Sequence, residues 1–271
     1  MIRLPAVAGQ FYPASPRELS SLIHRYLKEN ETASQEKVRV RACMVPHAGY
    51  IYSGHVAAAV FSRVRIPRKI LILGVRHHPR GEALAIMSHG YWRTPLGDAA
   101  IDRGLALRLR AASPELQEDE VAHSREHSLE VEVPFLQVLQ TDFTFVPVAF
   151  GTTDLQELVK IGEEVAEVVA KTEEEVLIVT SSDMNHYEEA GITQRKDQRA
   201  IECLVRLDAQ GLHDVCRRER ISMCGLGPAI VMLSAVKKLG GKHGELIKYA
   251  NSGEISGDYD SVVGYAGMIF P

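Results

Sequence analysis

The sequence predicts an α/β fold: a single domain with a central, mixed but mostly parallel sheet flanked by helices. Three observations carry this prediction. Strand-like segments alternate with helix-like segments of about 10–17 residues, the pattern of a sheet covered on both faces. Two runs, Lys69-Ile70-Leu71-Ile72-Leu73-Gly74 and Glu175-Val176-Leu177-Ile178-Val179-Thr180, are almost continuously apolar, as strands buried on both sides are. Two strand-like segments follow the last helix and allow an antiparallel portion. No linker rich in Pro, Gly or Ser breaks the pattern, so residues 1–271 read as one domain.

A first helix covers about 16–28, and the charge-rich stretch Lys28 to Lys37 reads as a surface loop after it. Val38 to Val45 is strand-like. A helix of small residues begins near Ser53 and closes on Phe61 and Val64. After the apolar strand 69–74, Ala83 to Met87 is a short strand, and helices follow over about 101–111 and 124–139, the second capped by Ser124. Phe143 to Phe150 is a strand and Leu155 to Lys171 an amphipathic helix. Beyond the strand 175–180 come helices at about 193–206, 208–218 and 225–239, then strands at about 245–250 and 261–269.

Composition narrows the function. The chain has 271 residues, 45% hydrophobic and 24% charged, with a net charge of −4, which excludes nucleic-acid binding by bulk positive charge. No apolar run reaches the roughly 18 residues of a membrane span, and the N-terminus lacks the apolar core of a secretory signal. The four cysteines form no CxxC pair, which points to a reducing cytoplasm.

Ligands of α/β sheets bind beyond the carboxyl ends of strands. Three such ends carry histidines: Pro46-His47-Ala48-Gly49-Tyr50, Gly74-Val75-Arg76-His77-His78 and Ser181-Ser182-Asp183-Met184-Asn185-His186. Cys224 precedes the helix opening Gly225-Leu226-Gly227-Pro228 and is a fourth candidate. Imidazoles and a thiolate suit a mononuclear metal with an open position. His186 fits a general acid/base, with an ionised Asp183 nearby to orient it. In Arg125-Glu126-His127-Ser128-Leu129-Glu130, His127 and Glu130 would share a helix face, a carboxylate–histidine set behind a metal.

These residues, together with Ala8-Gly9-Gln10-Phe11-Tyr12-Pro13, Tyr91-Trp92-Arg93-Thr94-Pro95-Leu96-Gly97 and Tyr265-Ala266-Gly267, resemble in kind and order the Memo family, known in microbes as AmmeMemoRadiSam system protein B. The resemblance runs over essentially the whole chain. It implies a fold similar to the class III extradiol dioxygenases, which hold Fe(II) with two His and one Glu. In the Memo family a Cys stands at the Glu position, so the implied metal set is His47, His77 and Cys224, with His186 as acid/base and Asp183 beside it. His78 is the lesser candidate of its pair. The implied cofactor is Fe(II) or Cu, with Zn also compatible. A vertebrate relative binds phosphotyrosine peptides in the same pocket, lined by an aromatic residue that Phe11 matches here where the relative has Trp. The microbial name implies radical-SAM and AMMECR1-like partners.

Two function classes follow. One is a metal-dependent oxidoreductase acting on a small molecule in the cleft. The other is a non-catalytic module binding a peptide or anionic ligand, with Arg76 and Arg93 as its cations. A metal-free hydrolase, with Cys224 activated at a helix start, is a third option.

Overall fold

The computed structural model describes residues 1–30 and 36–271. Of the expected surface loop, residues 31–35 lie outside the described residues, and Lys28 to Asn30 belong to the preceding helix.

The chain opens with β1 (Ile2–Arg3) and α1 (Pro16–Asn30). Proline at the first helical position suits α1, and Leu19, Ile23 and Leu27, four residues apart, form its buried stripe. Next come β2 (Ala42–Val45), α2 (Tyr50–Arg63) and β3 (Lys69–Val75). The expected strand from Val38 is shorter, with Val38 making only an isolated bridge to Val64, and the helix begins earlier than Ser53, at Tyr50 after Gly49. Then follow β4 (Leu84–Ile86) and a hairpin, β5 (Tyr91–Thr94) and β6 (Gly97–Ile101), where no strand was expected. Asp102 ends β6 and caps α3 (Arg103–Ala112), accepting from the Leu105 N–H at 2.8 Å.

After β7 (Gln117–Glu118), the predicted helix 124–139 is only half present. Residues 123–125 and 128–129 are turns with Glu126 and His127 in irregular backbone between them, Glu130–Glu132 form a 3₁₀ turn, and α4 covers Val133–Leu139. Ser124 caps no helix; its hydroxyl donates to the Val121 carbonyl. The chain closes with β8 (Thr144–Phe150), α5 (Leu155–Ala170), β9 (Val176–Ser181), β10 (His186–Glu188), α6 (Ala190–Val205), α7 (Ala209–Glu219), α8 (Leu226–Lys238), β11 (Glu245–Asn251), α9 (Gly253–Ser256) and β12 (Val262–Phe270).

Among the described residues all the strands join one sheet, ordered β1-β5-β6-β8-β3-β9-β2-β12-β10, with β11 on β12 and the β4–β7 pair on β8. From β6 to β2 the pairings are parallel; β12 runs antiparallel to β2, β10 and β11, giving the mixed sheet. Alternate strand residues feed two cores. Met44, Leu71, Leu73, Val148 and Ile178 pack with α3, α5 and α8, whereas Val45, Ile70, Ile72, Phe145 and Val179 pack with α1, α2 and α4. The continuous apolar runs of β3 and β9 are the cost-free solution for strands covered on both sides. No described helix is long and apolar enough to cross a membrane.

Candidate metal centre

The carboxyl ends of β3, β9 and β2 lie side by side, with Leu73 level with Thr180 and Val45 level with Ser181. The outer two continue into His77 and His47. Strands two places apart are separated by about 9–10 Å, yet the two imidazoles close to 5.2 Å between centroids. They lean together over the middle strand, which ends in the small residue Ser181, with Ser182 next.

Two glycines permit the approach of the remaining walls. A Cβ at Gly74 would lie 2.6 Å from Leu129 Cγ and 2.8 Å from Ser128 Oγ, so glycine lets the 126–129 turn close on β3. A Cβ at Gly225 would stand 2.3 Å from the Ser182 Cβ, so glycine brings Cys224 against the end of β9. There the Asp183 N–H points to Cys224 Sγ at 3.3 Å and the Gly225 N–H donates to Ser182 Oγ at 3.0 Å.

His47, His77 and Cys224 offer ligand atoms that all lie within 4.8 Å of one another. His47 Nε2 is 3.2 Å from Cys224 Sγ, and its Nδ1 is 2.8 Å from Ser181 Oγ. His77 Nδ1 is 2.8 Å from Glu126 Oε1, and the His77 N–H donates to Glu126 Oε2 at 2.7 Å. Burial opposes a charge on Glu126, but the His77 hydrogen bond and the Ser128 N–H prevail and hold its pKa down to about 2. Burial, then repulsion from His77, pushes His47 down to about 3; burial, then repulsion from His47, pushes His127 down to about 4. Both rings are therefore neutral near pH 7. Burial and the Asp183 carboxyl raise the Cys224 thiol above its ordinary value. That disfavours the metal-free hydrolase, since a thiol held protonated is a poor nucleophile despite its place before α8. The donors fit a transition ion: two imidazoles with their second nitrogen anchored, and a thiol whose ionisation an ion would offset.

His127 stacks on His77 at 4.6 Å and 20°, and Phe11 packs on His127 at 4.8 Å. His77, Glu126 and His127 form a second group of potential ligands. Glu130 does not share their face. It turns away to accept from Arg3 Nη1, the Ala6 and Val7 N–H groups and the Tyr12 hydroxyl.

His186 sits on β10, whose pairing with β12 is irregular between His186 and Glu188; the intervening Tyr187 has a left-handed φ of 59°. His186 Nδ1 lies 2.8 Å from the Ser222 carbonyl, so it carries the proton and leaves Nε2 as the acceptor. Asp183 is not its orienting partner, contrary to expectation. Asp183 accepts the His47 N–H at 2.8 Å, and burial favours its protonated form. Arg76 is also differently engaged: Nη1 donates to the carbonyl of Gly81 at 2.7 Å, within its own loop. Arg93 pairs with Asp98 across the hairpin, and His78 is exposed.

Ser181 and Ser222, which hold two of these imidazoles, are absent from the sequence-based set of functional residues. Ser181 had a readable signal, a small polar residue at the end of the strand between two histidine-bearing ends. Ser222 had none, because its contacts with Asn185 and His186 span 37 and 36 residues.

The fold and this cluster define an α/β protein with two imidazoles and a thiol gathered at parallel strand ends. The sequence pattern of the Memo-like protein family matches residues 3–269, and the chain belongs to the Memo family. It is 40% identical to a MEMO1 family protein of Methanopyrus kandleri over 100% of this chain and 99% of that one. It is 39% identical to a MEMO1 family protein of Aquifex aeolicus over 99% of both chains. Among solved structures it is similar in fold to an uncharacterized protein of Escherichia coli, with a TM-score of 0.54 and 14% identity, covering 85% of this chain and 100% of that one.

Proposed function

We propose that His47, His77 and Cys224 hold one transition-metal ion, iron or copper with zinc a third candidate, and that the chain is a metal-dependent oxidoreductase acting on a small oxidisable ligand. The observation that carries this reading is the convergence of the three donor atoms within 4.8 Å of one another, with both histidines fixed through their other nitrogen. The bound ion would supply Lewis acidity and, for iron or copper, a redox couple.

The chain's own residues would do the rest. Glu126 orients His77 through two hydrogen bonds, and Ser181 orients His47. His186 would take a proton from the ligand on Nε2, its Nδ1 proton being anchored on Ser222. Phe11 and His127 would form an aromatic wall for a planar ligand. An anionic-ligand module is less well supported, since Arg93 already pairs with Asp98 and Arg76 is turned to the Gly81 carbonyl of its own loop. The free cysteines are consistent with a reducing cytoplasm.

The test is elemental analysis of protein purified without oxygen. The expected result is about one equivalent of a transition metal, lost in His47→Ala. Less than about a tenth of an equivalent, unchanged by His47→Ala, refutes the reading.

A further inference from the structure

Ser181 Oγ has three polar neighbours: the Ser128 carbonyl at 2.6 Å, Glu132 Oε1 at 3.0 Å and His47 Nδ1 at 2.8 Å. A hydroxyl has one proton to give and two lone pairs to receive with. The carbonyl can only accept, and at 2.6 Å it takes the serine proton. All three contacts are then satisfied only if the other two groups donate. We infer that Glu132 retains its carboxyl proton and, through Ser181, locks His47 in the tautomer with its proton on Nδ1 and its lone pair on Nε2, turned toward Cys224. Glu132 is thus a positioning residue that touches neither sulfur nor ligand.

The surroundings agree with this assignment. Glu132 is 1% exposed, and among the described residues Ser181 is the one hydrogen-bond partner of its carboxyl. An ionised Glu132 would bury a charge with a single neutral partner. It would also claim the serine proton, setting the serine oxygen against the Ser128 carbonyl oxygen at 2.6 Å with no hydrogen between. Burial raises the Glu132 carboxyl well above the ordinary range, against the smaller effect of the Ser181 hydrogen bond. The other histidine is held differently. His77 Nδ1 faces Glu126, an acid with backbone N–H donors from His77 and Ser128 that favour its ionised form. The two imidazoles therefore share a tautomer but not a basicity: an anion strengthens His77 as a donor, and a neutral hydroxyl leaves His47 the weaker one.

The tautomer stands independently of the proposed function; only its consequence for metal affinity rests on that reading. Three measurements on the full chain test it. In metal-stripped protein with ¹⁵N-labelled histidine, assigned with His47→Asn, His47 is expected with its proton on Nδ1; a proton on Nε2 overturns the inference. An infrared difference between wild type and Glu132→Gln at pH 7 is expected to show a protonated-carboxyl stretch; its absence overturns the inference. Co(II) alone is the third probe. Glu132→Gln keeps a donor for Ser181 and should bind within about threefold of wild type, whereas Glu132→Leu should bind about tenfold or more weakly. Equal weakening in Gln and Leu overturns the donor role. Failure of wild type to bind Co(II) refutes the metal reading, while the two spectroscopic results still decide the tautomer. They also decide it if Glu132→Leu does not fold.

Discussion

Replacing Glu130 by Gln should unlatch the N-terminal segment from the body of the fold. The carboxylate is fully buried and accepts four hydrogen bonds: Arg3 Nη1 and the Ala6 N–H on one oxygen, the Val7 N–H and the Tyr12 hydroxyl on the other. Arg3 is itself 7% exposed, and its other nitrogens donate to the His123 and Glu126 carbonyls. An amide of the same shape removes the negative charge and puts an NH₂ group against one pair of donors. Only the Tyr12 hydroxyl can rotate to accept, so the amide turns that way and leaves the Val7 N–H unpaired. Breaking a buried ion pair on one side costs about 3–5 kcal/mol, and that range already includes orphaned donors of this kind. At about 2–4 °C per kcal/mol for a chain somewhat smaller than this one, the melting temperature should fall by roughly 6–20 °C. Urea unfolding by circular dichroism measures the free-energy change, and proteolysis within residues 3–12 reports the local release. Arg3→Met with Glu130→Leu should recover part of the loss, because two apolar groups leave no buried charge behind. A loss under about 1 kcal/mol in Glu130→Gln would falsify the view that this carboxylate latches the segment carrying Phe11.

Three further outcomes are expected. His123 is fully buried, and burial, then the Arg3 cation, lowers it to about 4. The unfolded chain therefore binds the extra proton first, so stability present above pH 6.5 declines as pH falls toward 4, by about 3 kcal/mol in all. Urea midpoints from pH 7.5 to 4 should show this slope, and it should be shallower in His123→Phe; equal slopes contradict the assignment. Gly225→Ala forces a Cβ to 2.3 Å from Ser182 Cβ. It should cost about 1–3 kcal/mol and weaken the thiolate-to-Co(II) absorption by displacing Cys224, measured by melting and visible spectra; an unchanged spectrum argues against Cys224 as a ligand. Glu126→Ala frees His77 Nδ1 and should lower Zn(II) affinity about 10–100-fold in a competition titration, with equal affinity ruling out an orienting role.

What could be read from the sequence follows the range of the forces involved. The strands Lys69–Val75 and Val176–Ser181 were legible because burial on both faces writes itself into consecutive apolar residues. The hairpin of Tyr91–Thr94 and Gly97–Ile101 was missed although its first strand alternates, with Trp92 and Thr94 buried and Tyr91 and Arg93 exposed, and it turns at Pro95-Leu96. Its strands are short and polar on one side, so the period-two signal spans few residues. The helix that the sequence predicts over 124–139 is shorter for another reason. Glu126 and Glu130 look like a charged helical face, but each is bound to groups far away in sequence, His77 at 49 residues and Arg3 at 127. Those partners hold residues 123–129 outside a helix, and local spacing carries no trace of them.

The same division governs the candidate site. His47, His77, Asp183, His186 and Cys224 could be singled out because they follow strands or precede a helix, where α/β sheets leave polar groups free. Their roles could not, because a role depends on which nitrogen or oxygen is already taken. Asp183 was assigned to orient His186 by its place three residues before it, yet its oxygen is taken by the His47 N–H and a serine carbonyl holds His186. Proximity in sequence was a poor guide here because each side chain is claimed by a partner distant in sequence, His47 at 136 residues and Ser222 at 36. Hydrogen-bond capacity is the stronger constraint: one serine with one proton, among three neighbours, specifies the protonation of a histidine and a glutamate at once. A donor set assembled this way is oriented before any ion arrives, so ordering the two imidazoles adds little to the cost of binding. The thiol is the exception, since it must release its proton in the same step. Metal affinity should therefore rise with pH as Cys224 gives up its proton.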